Sequence, residues 1–359
     1  MQPTPQPIAD ILEFARWAPS GDNTQPWRFE ILDEHHLIIH AFDTRDHCIY
    51  DLDGHPSQIA LGALLETLAI AASAHGLMAE FRRSPDSPDT HPDYFVKLIP
   101  DSHLPLDTLL PYIKQRTVQR RPMRTTPLNA SQKLALQSAV GKFYTVHWFE
   151  GGTQRWQLAK LMFDNAKLRL TLPEAYLVHR DIIQWNARYS EDKVPDQALG
   201  VDKMTLKLMN WIMASWRRVD FFNTYLAGHL VPRLEMDLLP GLFCAAHFVL
   251  LAHKAPETID DYVAAGRAVQ RFWLTATSLS LQLQPEMTPL IFSRYVREER
   301  AFSRLPGATE TAANLGARLS RLLQNDAVGQ AVFLGRIGNG RSATSRSLRL
   351  SVGQLVSAK

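Results

Sequence analysis

The densest chemistry in the chain lies in the string Ala15-Arg16-Trp17-Ala18-Pro19-Ser20-Gly21-Asp22-Asn23-Thr24-Gln25-Pro26-Trp27. A helix that stops at Pro19 opens into a loop where Ser20, Asn23 and Gln25 carry short donors and acceptors beside free backbone groups. Such a set can grip a polar, planar ligand. Taken alone, Ser, Gly, Asp and Asn in a loop are ordinary turn residues. Two further concentrations are basic. One is Gln115-Arg116-Thr117-Val118-Gln119-Arg120-Arg121-Pro122-Met123, and the other places Arg341, Arg346 and Arg349 after Gly335-Arg336-Ile337-Gly338-Asn339-Gly340. His35, His36, His40, His47 and His55 lie close in sequence, but alternation along a hairpin sends them to different faces, so no metal site is expected. Cys48 has no supporting motif for a nucleophile, and Cys244 sits in an apolar run that reads as core. No Gly-x-Gly-x-x-Gly follows a strand and no Gly-x-x-x-x-Gly-Lys occurs, which argues against a Rossmann cofactor site or a P-loop.

The elements that must position these residues follow from periodicity. Residues 8–17 put Ile8, Ile11, Leu12 and Ala15 on one helical face, and the run ends at Pro19. Residues 27–32 and 37–42 flank a polar turn and read as a hairpin. Residues 57–75 are rich in Ala and Leu with few β-branched residues, a buried helix closed by Gly76, and strands are expected at 79–83 and 94–99. The second part starts again with a polar-capped helix from Asn129, a strand at 144–149 and a helix over about 153–170. Residues 62–77 have a counterpart in 266–281, both starting at Gly, which suggests a unit repeated once. The insertion at about 202–239, with Met204, Trp211 and Trp216, reads as helical: a helix packed on the core, a lid, or a membrane-surface helix. Residues 238–252 read as a buried strand, too short and interrupted to span a bilayer. The first seven residues, rich in Pro and Gln, read as an extended arm and lack a secretory signal pattern.

Residues 19–27 resemble the loop of the nitroreductase superfamily, whose usual form is a Pro-Ser pair, then Asn, then Gln-Pro-Trp leading into a strand. That superfamily binds FMN between two subunits, with this loop meeting a flavin held largely by the other subunit. The other contribution is an Arg-Ser-x-Arg-like motif together with basic residues near the C-terminus. Here no such motif precedes the loop, but the run 115–123 looks like it, with Thr117 in place of Ser and the second Arg displaced by one position. The later part in turn lacks the Pro-Ser-x-x-Asn loop, so the two parts carry complementary motifs. This pattern is similar to the tandem, Acg-type branch. The resemblance implies an α+β protein of two nitroreductase-like halves, residues 1–107 and 108–359, forming an internal pseudo-dimer with one FMN per chain. It implies that Pro19, Ser20, Asn23 and Gln25 line the flavin, with Ser20 and Asn23 on the ring or ribityl edge. On the phosphate side it implies Arg116, Thr117, Arg120, Arg121 and Arg346. Hydride would pass through flavin N5 to or from a small organic substrate, with NADH or NADPH as a transient donor. The alternative is a protein that stores or sequesters FMN without turnover.

Composition bounds the partners. Across 359 residues, 45% are hydrophobic and 21% charged, and 39 Lys and Arg against 36 Asp and Glu give a formal charge of +3. That balance implies a large buried core and no global field for nucleic acid, which leaves a small molecule as the expected partner. Two distant cysteines exclude a disulfide framework and suit a reducing, cytoplasmic setting. Fusion of two halves makes a dimer unnecessary, so monomer and homodimer both stay open.

Overall fold

The computed structural model describes residues 6–324 and 326–357. Of the expected arm, residues 1–5 lie outside this range. Gln6 and Pro7 already belong to helix α1 (Gln6–Ala15), because proline fits the first turn of a helix, where its missing N–H has no partner to lose. Strands β1 (Trp27–Ile31) and β2 (His36–Ala41) form the expected antiparallel hairpin, with Trp27 opposite Ala41. Helix α2 (His55–Ser73) ends just before Gly76, whose φ of +62° is a conformation open to glycine at little cost. Strands β3 (Leu77–Arg83) and β4 (Asp93–Pro100) complete a sheet in the order β1-β2-β4-β3.

The chain then continues into a second set of helices and strands. Helix α3 (Ala130–Ala139) starts at Asn129, whose side chain and that of Gln132 cap each other's backbone N–H. Next come β5 (Tyr144–Phe149), the long α4 (Gly151–Thr171) and α5 (Pro173–Ile182). Three two-residue strands follow, β6 (Ile183–Gln184), β7 (Tyr189–Ser190) and β8 (Val194–Pro195). The insertion is helical, as expected: α6 (Lys203–Met213), α7 (Trp216–Tyr225), α8 (Leu230–Arg233), a π-helical turn at Leu234–Leu238, and α9 (Leu239–Leu242). Here the expected strand over 238–252 is corrected. Only β9 (Ala246–Ala252) is extended, because a continuously apolar run buries equally well as helix or strand and Pro240 sits in the first turn of α9. Helix α10 (Ile259–Ser278), β10 (Leu281–Pro285), α11 (Thr288–Arg297), α12 (Ala308–Leu322), β11 (Ala331–Asn339), β12 (Arg346–Ser347) and α13 (Val352–Leu355) finish the chain.

The second sheet has the order β5-β9-β11-β10, the same path as the first when β5, β9, β10 and β11 are matched to β1, β2, β3 and β4. Both four-stranded sheets are antiparallel throughout, whereas the two-residue strands pair in parallel, β7 with β12 and β6 with β8, so the molecule mixes helices with largely antiparallel sheet. The central helices α2 and α10 cross at Gly62 and Gly266. A Cβ on Gly62 would lie 1.9 Å from the Val263 carbonyl oxygen, and one on Gly266 would lie 2.0 Å from that of Ile59. These two glycines head the segments 62–77 and 266–281.

Around the crossing, Glu66 pairs with Arg267 and Arg271 at 2.8 Å each, and Gln270 donates to Thr67 at 2.8 Å. Helix α2 is long and apolar enough to cross a membrane, yet 89% of that span is buried inside the fold. After β12 the chain returns to the first sheet, where Val356 bridges Phe29 and Ser357 N–H donates to the Phe29 carbonyl at 2.8 Å.

Candidate functional site

Residues 19–25 leave α1 and dock on the backbone around β7 and β8. The Gln25 N–H donates to Ser20 Oγ at 3.0 Å. Asn23 Nδ2 donates to the carbonyls of Glu191 and Lys193 at 3.0 and 3.3 Å. Gln25 Nε2 donates to the Glu191 carbonyl at 2.9 Å, and its Oε1 accepts from Leu350 N–H at 2.9 Å. These bonds hold three non-glycine residues at positive φ, Asp22 (50°), Asn23 (65°) and Gln25 (48°). Each such residue costs on the order of 1–3 kcal/mol and persists only where its surroundings enforce it. Ser20, Asn23 and Gln25 therefore first build the loop. The polar atom left over is Asn23 Oδ1, buried with no partner. Pro19 is partly buried beside them.

Next to this loop lie three arginines. Arg116 is 3% exposed, Arg349 is 8% exposed, and Arg346 is partly buried. Arg116 Nη2 donates to the Trp17 carbonyl at 3.0 Å, and Arg349 Nε donates to that of Ala18 at 3.0 Å, so both brace the turn that follows α1. Arg346 donates to the carbonyls of Lys114 and Arg116 at 2.9 and 3.1 Å and lies over the Trp17 ring at 5.0 Å. Arg116 in turn lies over Trp273 at 4.6 Å. None of the three has a carboxylate partner among the described residues, and the Nε atoms of Arg116 and Arg346 are buried without any acceptor. Burial, then the charges of Arg349 and Arg346, presses the Arg116 guanidinium well below its ordinary range; burial, then Arg346 and Arg16, takes Arg349 down to about 9. The carbonyls of this turn carry only partial negative charge towards the three guanidiniums, and arginine N–H pairs are the donor geometry that suits phosphate.

The other residues expected on the phosphate side part company here. Thr117 is partly buried beside Arg116, and Arg121 is exposed. Arg120 turns away, donating to the Ala198 carbonyl at 3.1 Å, and burial lowers it to about 10. It faces a second polar group that sequence reasoning missed, drawn from five separate segments. Asp22 feels the charges of Arg120 and Arg169, and burial raises its carboxyl. Arg169 Nη2 contacts Asp237 at 3.4 Å, and Asp237, in the π-helical turn, is raised to about 6 by burial. Tyr50 Oη and His179 Nε2 are 2.9 Å apart with stacked rings; burial, then Arg169, takes His179 down to about 3, so its imidazole is neutral at neutral pH. No local motif links Asp22, Tyr50, Arg169, His179 and Asp237, so only tertiary structure could reveal them.

Behind this group stands a fully buried triad. His247 Nδ1 lies 2.7 Å from Glu286 Oε2, and Arg336 Nη1 donates to Glu286 Oε1 at 2.7 Å. Since His247 Nε2 also faces an acceptor, the Gly241 carbonyl at 2.9 Å, both ring nitrogens donate, and Glu286 carries His247 up to about 10 against its burial.

No family model matches the chain. An uncharacterized protein of Mycobacterium tuberculosis is 23% identical over 295 residues, which is 81% of this chain. The chain spans 40% of that relative's length. Among solved structures, a nitroreductase-like family protein from Bacillus cereus overlays 70% of this chain and 96% of its own, at 12% identity and a TM-score of 0.36.

Proposed function

We propose that the chain binds FMN and works as a flavin-dependent oxidoreductase of nitroreductase type on a small organic substrate. The observation that carries this reading is the set of Arg116 and Arg349, both buried, and half-buried Arg346, which have no carboxylate partner among the described residues and include two unpartnered Nε atoms beside the loop that resembles the flavin loop. These orphaned donors fit the phosphate of FMN, with Thr117 next to it. Asn23 Oδ1 offers an acceptor to the rest of the molecule from the loop of Pro19, Ser20 and Gln25. Bound there, the flavin would supply two-electron transfer, with NADH or NADPH as transient donor.

The protein's own part is to neutralise phosphate, to hold the loop in its strained shape and to keep bulk water from the arginines. The two matching sheets and the Gly62–Gly266 crossing support reading residues 1–107 and 108–359 as two copies of one unit with a single composite site. Arg120 serves a different pole, towards Asp22 and Arg169. A cytoplasmic setting is part of the proposal.

The test is anaerobic titration of FMN-loaded protein with NADH and NADPH. Bleaching of the flavin band by either nucleotide supports an oxidoreductase. Reduction by dithionite alone points to sequestration.

A further inference from the structure

We propose that the outer face of α6 and α7 docks onto an anionic lipid surface. The inner face of α6 is already used. Leu206 and Met209 pack on Ile183, Val194, Leu199 and Val201, and Tyr176 Oη donates to the Met213 carbonyl at 3.1 Å. The face turned outward is apolar. Met204 (80% exposed), Leu208 and Trp211 follow one another at helical spacing along α6, and Phe221 and Tyr225 (73% exposed) do the same on α7. The two stripes form one patch. Trp211 meets Phe222 edge-on at 5.8 Å, Phe222 meets Phe221 at 6.0 Å, and Phe221 meets Tyr225 at 5.2 Å. A contiguous exposed apolar patch of this kind marks an interaction surface.

Charge decides between occupants. Lys203, Lys207, Arg217 and Arg218 are all exposed, and residues 203–219 contain no Asp or Glu. Lys203 and Lys207 each precede a residue of the apolar stripe and are exposed, and a lysine in such a place can lay its stem along apolar surface with its ammonium group in water. Arg218 lies over the Trp211 ring at 4.5 Å. A second copy docking by two-fold symmetry would set this cationic rim against itself, with Asp220 as the nearest opposing charge on α7. Anionic headgroups complement the rim, and Trp, Tyr and Phe between an apolar and a wet phase suit the bilayer interface. This inference is independent of the flavin reading, since none of these residues touches the arginine site.

The experiment is co-sedimentation of the full chain with vesicles containing phosphatidylserine, against pure phosphatidylcholine, alongside tryptophan emission. Binding to the anionic vesicles, a blue shift absent in Trp211→Ser, and loss at high salt are expected. Each cation near such a surface is worth about fivefold in binding, so Lys203→Gln with Lys207→Gln should weaken it about 25-fold. Phe221→Ser should weaken it too, with an unchanged thermal melt as the folding control. Lack of binding, equal binding to both vesicles, or a concentration-dependent dimer that shields Trp211 would overturn the proposal.

Discussion

Replacing Arg116 by Met separates a structural arginine from one awaiting an anion. Methionine keeps most of the length that packs on Trp273 while removing the charge. In the ligand-free protein the change removes one charge-assisted bond to the Trp17 carbonyl, worth about 1.5–3 kcal/mol. It also removes a buried cation that lacks a carboxylate and sits among like charges. At an effective dielectric of about 20, like charges several ångström apart repel by on the order of 2 kcal/mol, and Arg116 feels both Arg349 and Arg346, while loss of its cation–π contact with Trp273 works the other way. The terms offset one another to within a few kcal/mol, so the melting temperature without ligand should move by only a few degrees in either direction. Binding is different, because nothing offsets the lost contact to phosphate, and a loss of about 2.7 kcal/mol is about 100-fold in Kd.

Linkage turns that difference into a melting experiment. Ligand at about 100 times the wild-type Kd stabilises the wild type by about 2.7 kcal/mol but the variant by only about 0.4 kcal/mol. Thermal melts with and without FMN, and again with inorganic phosphate, read both quantities. A variant that is destabilised by several kcal/mol without ligand, yet keeps the full FMN-dependent shift, would refute the reasoning and make Arg116 a brace for the turn after α1 and nothing more.

Further predictions concern the frame. Gly62→Ala forces a Cβ against the Val263 carbonyl and should cost about 3 kcal/mol or more, read as a lowered urea midpoint; a midpoint like the wild type would contradict the close crossing. Glu286→Gln leaves two buried cations facing a neutral amide and should cost about 3–5 kcal/mol in the same assay, against no more than a small change if the triad were solvated. Because His247 is raised from 6.5 to about 10, the stability it contributes is complete below about pH 6.5 and lost as pH rises through about 10. Urea melts from neutral pH upward should show that decline, and His247→Gln should flatten it. The neutral His179 predicts imidazole resonances that do not titrate between about pH 5 and 8; a midpoint near 6.5 would place His179 in solvent.

Much of the frame was legible in the sequence, because strong local signals coincide with the elements they specify. The polar cap at Asn129 announces α3, the alternating runs give β1, β2 and β5, and the Ala- and Leu-rich stretch gives α2. The apolar run before β9 was not legible, since burial on all sides removes the periodicity that separates helix from strand. The loop of residues 19–25 was found by residue type, but its side chains turned out to bind the backbone of Glu191 and Lys193, a contact across more than 160 residues that no local pattern encodes. The arginines show the same limit. Arg116 and Arg120 stand in one motif, yet the chain between them runs along β10, where Val118 bridges Leu283 and Gln119 N–H bonds the Leu283 carbonyl, and the two guanidiniums end at different poles. The group of Asp22, Tyr50, Arg169, His179 and Asp237 exists only after folding.

The most direct test of the central claim is the stoichiometry of FMN uptake by the purified chain, followed by absorbance and competed with inorganic phosphate. One FMN per chain, displaced by phosphate and lost when Arg116 and Arg346 are both replaced, is the expected result. A chain that takes up no FMN, or binds it equally well without both arginines, would contradict the composite site.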